Sequence, residues 1–257
     1  MSILKSYSKV FPLPENAVSI FEGEWVSSIP GISGGGTIPL FSDSRLIDII
    51  QQCGGLSGKR CLELGPLEGA HTHIMWKSGA KSIISIEANQ RAFMKCLITK
   101  ELLGYEAKFL LGNFAKYVES TSEKFDFTNM SGVLYHMTAP HELIANVARI
   151  SDQVACWTHY FDRSILASNP QLRVKFEFEP KEVEIGGVTC RLFKQKYLAD
   201  IEVKGYAGGR EEISYWMEKK DILSLFEGFG MDTRVLSEDR DHPHGPCMNF
   251  YAIRRGL

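Results

Sequence analysis

Apolar residues recur along this chain in two rhythms. Arg60 to Leu64, Ser82 to Ile86, Lys108 to Leu111, Phe125 to Met130 and Gln153 to Thr158 are runs of strand length. Thr72 to Lys77, Asn89 to Leu103 and a segment opening at Pro140 with Leu143, Ile144 and Val147 have helical spacing. Gly79 and Gly104 follow two of these helices, and Pro140 sits where a first helical residue tolerates proline. An earlier helix starts at Asp43 or Ser44, carries Leu46, Ile47, Ile49 and Ile50, and stops at Gly54-Gly55. Strands alternating with helices predict an α/β fold, a doubly wound and mostly parallel sheet with helices on both faces.

Two segments break the rhythm. Residues 1–42 are rich in Pro and Gly and read as an N-terminal arm, with a short helix near Ala17 to Phe21. Phe11, Phe21, Trp25 and Phe41 predict that much of this arm packs onto the domain. The domain itself spans 43–257, with a β-rich insertion at about 163–212, where Lys181 to Leu192 alternates around a hairpin turn at Gly186-Gly187. A helix is expected over Ser214 to Phe226, ended by Gly228 and Gly230. Two closing strands, Thr233 to Leu236 and Met248 to Ile253, are joined by the loop Asp239 to Pro246.

Composition narrows the function classes. Lys and Arg total 29 against 31 Asp and Glu, a formal charge of -2, with no basic stripe, so nucleic acid is not the expected partner. Basic residues in the insertion alternate with acidic ones, as on a solvated surface. The six cysteines form no C-x-x-C pair and read as buried reduced thiols, which suits a cytoplasmic protein. No leader is read at the N-terminus, and no apolar stretch approaches a membrane span.

The chemistry concentrates in Leu62-Glu63-Leu64-Gly65-Pro66-Leu67-Glu68-Gly69-Ala70, a strand running through a tight Gly turn into a helix. Gly65 lets the backbone approach a ligand, and Gly69 starts the helix close to the strand. Glu87 ends the second strand, where a carboxylate accepts hydrogen bonds from ribose hydroxyls. Leu67 stands where a dinucleotide site has its second glycine, which argues against a pyrophosphate.

With these residues the chain resembles the class I S-adenosylmethionine-dependent methyltransferases, clearly over about 58–162 and more loosely in the last two strands. The subgroup it resembles acts on small molecules or on tRNA wobble uridine. The resemblance implies a seven-stranded Rossmann-like sheet with an antiparallel final strand and S-adenosyl-L-methionine as cofactor. It implies cofactor contacts at Glu63, Gly65, Pro66, Leu67, Gly69, Glu87, Ala88, Asn113, Phe114 and Ser131. Asn113 replaces the usual Asp at the adenine and keeps a carbonyl acceptor. Tyr135 and His136, after the fourth strand, are expected at the transfer centre, Tyr135 covering the sulfonium and His136 as a candidate base.

His159 and Tyr160 follow the fifth strand, and His242 and His244 lie in the last loop. All four are candidates to meet the acceptor, whereas Trp157 reads as core. His242-Pro243-His244 with Asp239 and Asp241 reads as a polar turn, so no metal is expected. The leading function is methyl transfer to a small-molecule acceptor. An RNA (tRNA)-modifying methyl or carboxymethyl transferase and a non-catalytic cofactor-binding protein remain the alternatives, and the oligomeric state stays open.

Overall fold

The computed structural model describes residues 7–202, 208–209 and 211–257. Met1 to Ser6, where no leader was read, and part of the 163–212 segment lie outside the described residues. In chain order the elements are α1 (Pro14–Val18), α2 (Ser44–Gln52), β1 (Arg60–Leu64), α3 (Ala70–Lys77), β2 (Ser82–Glu87), α4 (Gln90–Leu103), β3 (Lys108–Leu111), α5 (Phe114–Ser120), β4 (Phe125–Asn129), α6 (Pro140–Ile150) and β5 (Ser151–His159). There follow α7 (Arg163–Ser168), α8 (Pro170–Arg173), β6 (Lys181–Ile185), β7 (Val188–Lys196), β8 (Ile213–Met217), α9 (Lys219–Gly228), β9 (Met231–Asp239) and β10 (Cys247–Arg254).

Seven strands form the main sheet in the order β3-β2-β1-β4-β5-β10-β9, and β10 runs antiparallel to both neighbours. From β1 the chain winds outward through β2 and β3, then returns to build β4 and β5 on the other side. The crevice between the carboxyl ends of β1 and β4 is therefore the topological switch point, where such sheets bind ligands. Strand alternation divides the core. Leu62 and Leu64 of β1 face a cluster with Leu143, Ile144 and Phe226 from α6 and α9. Cys61 faces the opposite cluster with Ile49, Ile74 and Met75 from α2 and α3. Among the described residues, no helix is long and apolar enough to cross a membrane.

The structure corrects the expected helix over Ser214 to Phe226. Ile213–Met217 is a strand, β8, paired antiparallel to β7 with Phe193 opposite Trp216 and Gln195 opposite Ser214. Only from Lys219 does the chain turn helical. Ser-Tyr-Trp-Met has the alternation and aromatic content of a strand, and pairing to β7 decides the conformation. A three-stranded sheet, β6-β7-β8, thus sits apart from the main one, with Gly186 and Gly187 as its hairpin turn.

Candidate active site

At the switch point β1 ends in a tight turn whose backbone folds back on Pro66 O, which accepts from the Gly69 N–H at 2.9 Å. Gly65 has φ +66°, and a Cβ there would come within 2.6 Å of Val133 and 3.9 Å of Phe114. A side chain at Gly65 would therefore fill the crevice. Gly69 has φ +78°, and a Cβ would lie 2.3 Å from the Tyr105 hydroxyl. Leu67 also takes a positive φ of 57°, rare for a branched residue. That strain is held by Glu87, whose carboxylate accepts from the Leu67 N–H at 3.1 Å and the Asn89 N–H at 2.8 Å. Burial raises the Glu87 pKa, while the N–H bonds of Asn89, Leu67 and Ala88 oppose the rise. A carboxylate has about four lone-pair sites, so with three N–H bonds in place about one remains for a ligand hydroxyl. Gly65, Leu67, Glu87 and Phe114 thus meet at one crevice, with Pro66 in the same turn and Ala88 next to Glu87, while Gly69 faces Tyr105 and Thr99 behind the turn.

Three other expected cofactor residues are engaged differently. Glu63 is fully buried and turned inward, where it accepts from Thr72, from Ser85 Oγ at 3.1 Å and from Asn129 Nδ2 at 3.3 Å. Burial raises its pKa against these bonds and the nearby His71. Its carboxylate ties β1 to α3, β2 and β4 beneath the loop. Asn113 caps α5, its Oδ1 accepting from Ala115 N at 2.9 Å and Lys116 N at 3.3 Å. Ser131 donates to Asn129 Oδ1 at 2.8 Å and accepts from Trp157 N at 3.2 Å, which fixes the backbone step after β4.

Sequence reasoning missed the polar relay beside this step. His71 Nε2 lies 2.9 Å from Asp43 Oδ2, and His71 Nδ1 lies 3.2 Å from Asn129 Nδ2. Arg45 closes the chain on Asp43 with contacts of 2.9 and 2.7 Å. Although burial works against it, bonds from His71 and Arg45 hold the Asp43 carboxyl well below the usual range. No local spacing signals the relay, because Asp43 caps α2 while His71 belongs to α3.

A second missed feature lies behind the turn. Glu68 is buried and paired with Lys95 of α4 at 2.6 Å. The same carboxylate accepts the N–H groups of Val26 at 2.9 Å and Ser27 at 2.8 Å, and Lys95 also donates to Glu24 O at 2.9 Å. The N-terminal segment is thereby bonded to the back of the turn, and Val18, Phe21, Trp25 and Phe41 pack with Ala70.

Past the carboxyl ends of β4 and β5, rings converge from four segments. The Tyr135 ring lies 4.1 Å from His136, 4.7 Å from His159 and 6.0 Å from Trp157. His159 stacks on Trp216 of β8 at 5.1 Å and meets His242 edge-on at 5.0 Å. The Arg45 guanidinium lies 4.7 Å from the centre of the Trp157 ring. Trp216 Nε1 is buried with no hydrogen-bond partner among the described residues. His244 stands at the rim, its ring 5.6 Å from His242. Tyr160 lies elsewhere, in the main core with its hydroxyl donating to Glu238.

His136 Nδ1 is 2.6 Å from the Tyr197 hydroxyl. Burial, reinforced by His159, lowers the His136 pKa from 6.5 to about 3. In the unfolded chain the imidazole takes a proton below about pH 6.5, while the folded one does not until about pH 3. Its contribution is therefore complete above pH 6.5 and lost as the pH falls between those values. Relative to His136→Asn, the wild type should lose roughly 1.4 kcal/mol of stability per pH unit on acidification through pH 6 to 5. Urea unfolding of both proteins across that interval checks this, and parallel pH profiles would contradict it.

No protein-family model matches the chain, and no curated protein matches it. Solved structures do. The N-terminal domain of EvdMO1, crystallised in the presence of SAH and D-fucose, superposes with a TM-score of 0.67 and 19% identity over 94% of each chain. The magnesium protoporphyrin IX methyltransferase ChlM from Synechocystis PCC 6803, with bound SAH, gives 0.54 and 16% over 82% of this chain and 81% of that one. The bifunctional kinase-methyltransferase WbdD gives 0.54 and 14% over 93% of this chain and 45% of its own. The chain has the fold of the S-adenosylmethionine-dependent methyltransferases.

Proposed function

We propose that this protein transfers a methyl group from S-adenosylmethionine to a hydroxyl of a small ring-bearing molecule, with a sugar ring as the favoured class. The observation that carries this reading is the juxtaposition at one sheet edge. The Gly65–Leu67 turn with the Glu87 carboxylate suits a nucleoside that bears no phosphate. Beside it stand the half-buried rings of Tyr135, Trp157 and His242, backed by the buried rings of His159 and Trp216, and aromatic rings with a few polar groups line small-molecule sites. The D-fucose named with the EvdMO1 domain supports a sugar acceptor, and the SAH named with EvdMO1 and ChlM supports the cofactor.

In the reaction an acceptor oxygen attacks the methyl carbon in line with the carbon–sulfur bond. That bond breaks, SAH leaves, and the hydroxyl proton passes to a base or to solvent. Holding oxygen, carbon and sulfur in line supplies most of the acceleration. Tyr135 covers the sulfonium with an aromatic face. His136 stays neutral, so it can accept the hydroxyl's hydrogen bond, but a group titrating near 3 is too weak a base to keep the proton. Its role is to orient the acceptor.

The test is SAH formation from S-adenosylmethionine over a panel of free sugars and glycosides, with the methylated product identified by mass. His136→Ala should lower turnover roughly 10- to 100-fold with cofactor affinity unchanged. Turnover on no member of the panel, or salt-sensitive retention of tRNA at physiological ionic strength, would overturn the small-molecule reading.

A further inference from the structure

We infer that His159, His242 and Cys247 form a binding site for one transition-metal ion of the zinc type. Each offers one donor atom, and the three donors lie within 4.8 Å of one another. They come from the end of β5, the loop between β9 and β10, and the first residue of β10, in the register that places Cys247 opposite His159. The loop histidine was read in the sequence beside His244. In the fold its partners are instead a histidine and a thiol from neighbouring strands.

The donor set is two imidazoles and one thiolate, which suits zinc or cobalt and not magnesium or calcium. Three protein ligands with one vertex left is the pattern of an open site rather than a closed structural one. Tetrahedral zinc holds such donors about 3.3–3.7 Å apart, so the cluster must close by about 1 Å. His242 sits on a half-exposed loop position and has the freedom to make that move.

The surroundings already orient the donors. His159 Nδ1 is 2.9 Å from Gly245 O and 3.3 Å from Pro246 O. A carbonyl there fixes the proton on Nδ1 and leaves Nε2 for the ion, the outer-shell arrangement common to metal-bound histidines. Trp157 stands beside Cys247 and favours its thiolate, although burial raises the thiol pKa overall. His242 Nδ1 accepts the His244 N–H at 3.2 Å; coordination through Nε2 moves a proton to Nδ1 and gives up this long contact. Binding the ion also displaces the Cys247 thiol proton to solvent, so affinity rises with pH.

Ion binding rests on these donors alone. The use of the fourth vertex rests on the proposed methyl transfer: His159 and His242 also belong to the ring cluster, so that vertex would take the acceptor oxygen. An ion there would lower the pKa of the hydroxyl it held.

The probe is Co²⁺ titrated into the reduced, chelator-stripped full chain. One equivalent should bind, with a thiolate-to-cobalt charge-transfer band and the intense visible bands of a tetrahedral site. Cys247→Ser should abolish the charge-transfer band, and Cys190→Ala, a buried thiol outside the cluster, should leave it intact. His242→Ala, on the loop and the safer variant for folding, should weaken binding at least about tenfold. Absence of the band at one equivalent, or a band with full affinity in His242→Ala, would overturn the site. Calorimetry with SAH on the same stripped protein reads the cofactor separately, so loss of one reading leaves the other standing.

Discussion

Replacing Glu87 by alanine should weaken binding of S-adenosylmethionine and of SAH by roughly 2–3 kcal/mol, about 30- to 150-fold. Two losses combine. The ribose hydroxyls lose a charged acceptor, and the turn loses the bond that holds Leu67 N–H at 3.1 Å. Because Leu67 sits at φ 57°, that bond keeps the turn in a conformation the residue would otherwise avoid. The apo protein should therefore also be less stable, by about 1 kcal/mol, because the freed Leu67 and Asn89 N–H groups are only half-buried. Titration calorimetry measures the first effect per folded molecule, and urea unfolding measures the second. Affinity in the wild type should fall on acidification, since burial raises the Glu87 pKa and a proton competes with the ribose donors. Unchanged affinity in Glu87→Ala would remove the ribose role and with it the cofactor reading.

The alternation that generates β1 to β5 and the helices between them was legible because each element satisfies its own period. The turn at Gly65 and the acid at Glu87 were legible for a related reason, since both lie at strand ends whose positions the period fixes. The ring cluster was half legible. Tyr135, His136, His159 and His242 follow strands at the carboxyl edge, but Trp157 read as core and Trp216 as helix. Trp216 reaches His159 only because β8 pairs with β7, and no local pattern encodes that pairing. Lys95 gives the opposite lesson. In α4 the apolar Leu97 is 38% exposed and the charged Lys95 is buried, because the Glu68 carboxylate meets Lys95 across the interface. α5 went unread for want of length: seven residues carry too few apolar positions to set a period.

Substituting Lys95 by methionine should destabilise the protein by about 3–5 kcal/mol. Methionine keeps the stem's volume, so the packing loss is small. The ammonium is what disappears. Glu68, whose side chain has no exposed surface, is then left as a buried carboxylate held only by backbone N–H groups of Val26 and Ser27. Burying an unpaired charge is costly in a way that exposing one is not. Arg91 provides the contrast, since it pairs with Glu24 of the same segment at 2.6 Å but is 61% exposed. Arg91→Ala should therefore cost about 1 kcal/mol or less. The two variants contact the same segment, so the difference between them isolates burial from mere attachment. Lys95→Met should also loosen residues 24–27. Trp25, whose ring lies 5.4 Å from the Lys95 ammonium, reports this through its fluorescence and near-ultraviolet dichroism. Because Glu68 lies between Leu67 and Gly69, that loosening should reach the turn and lower SAH affinity, while Arg91→Ala should not. Equal unfolding midpoints for the two variants would mean that the segment is held by its apolar contacts with Ala70 and not by the buried pair.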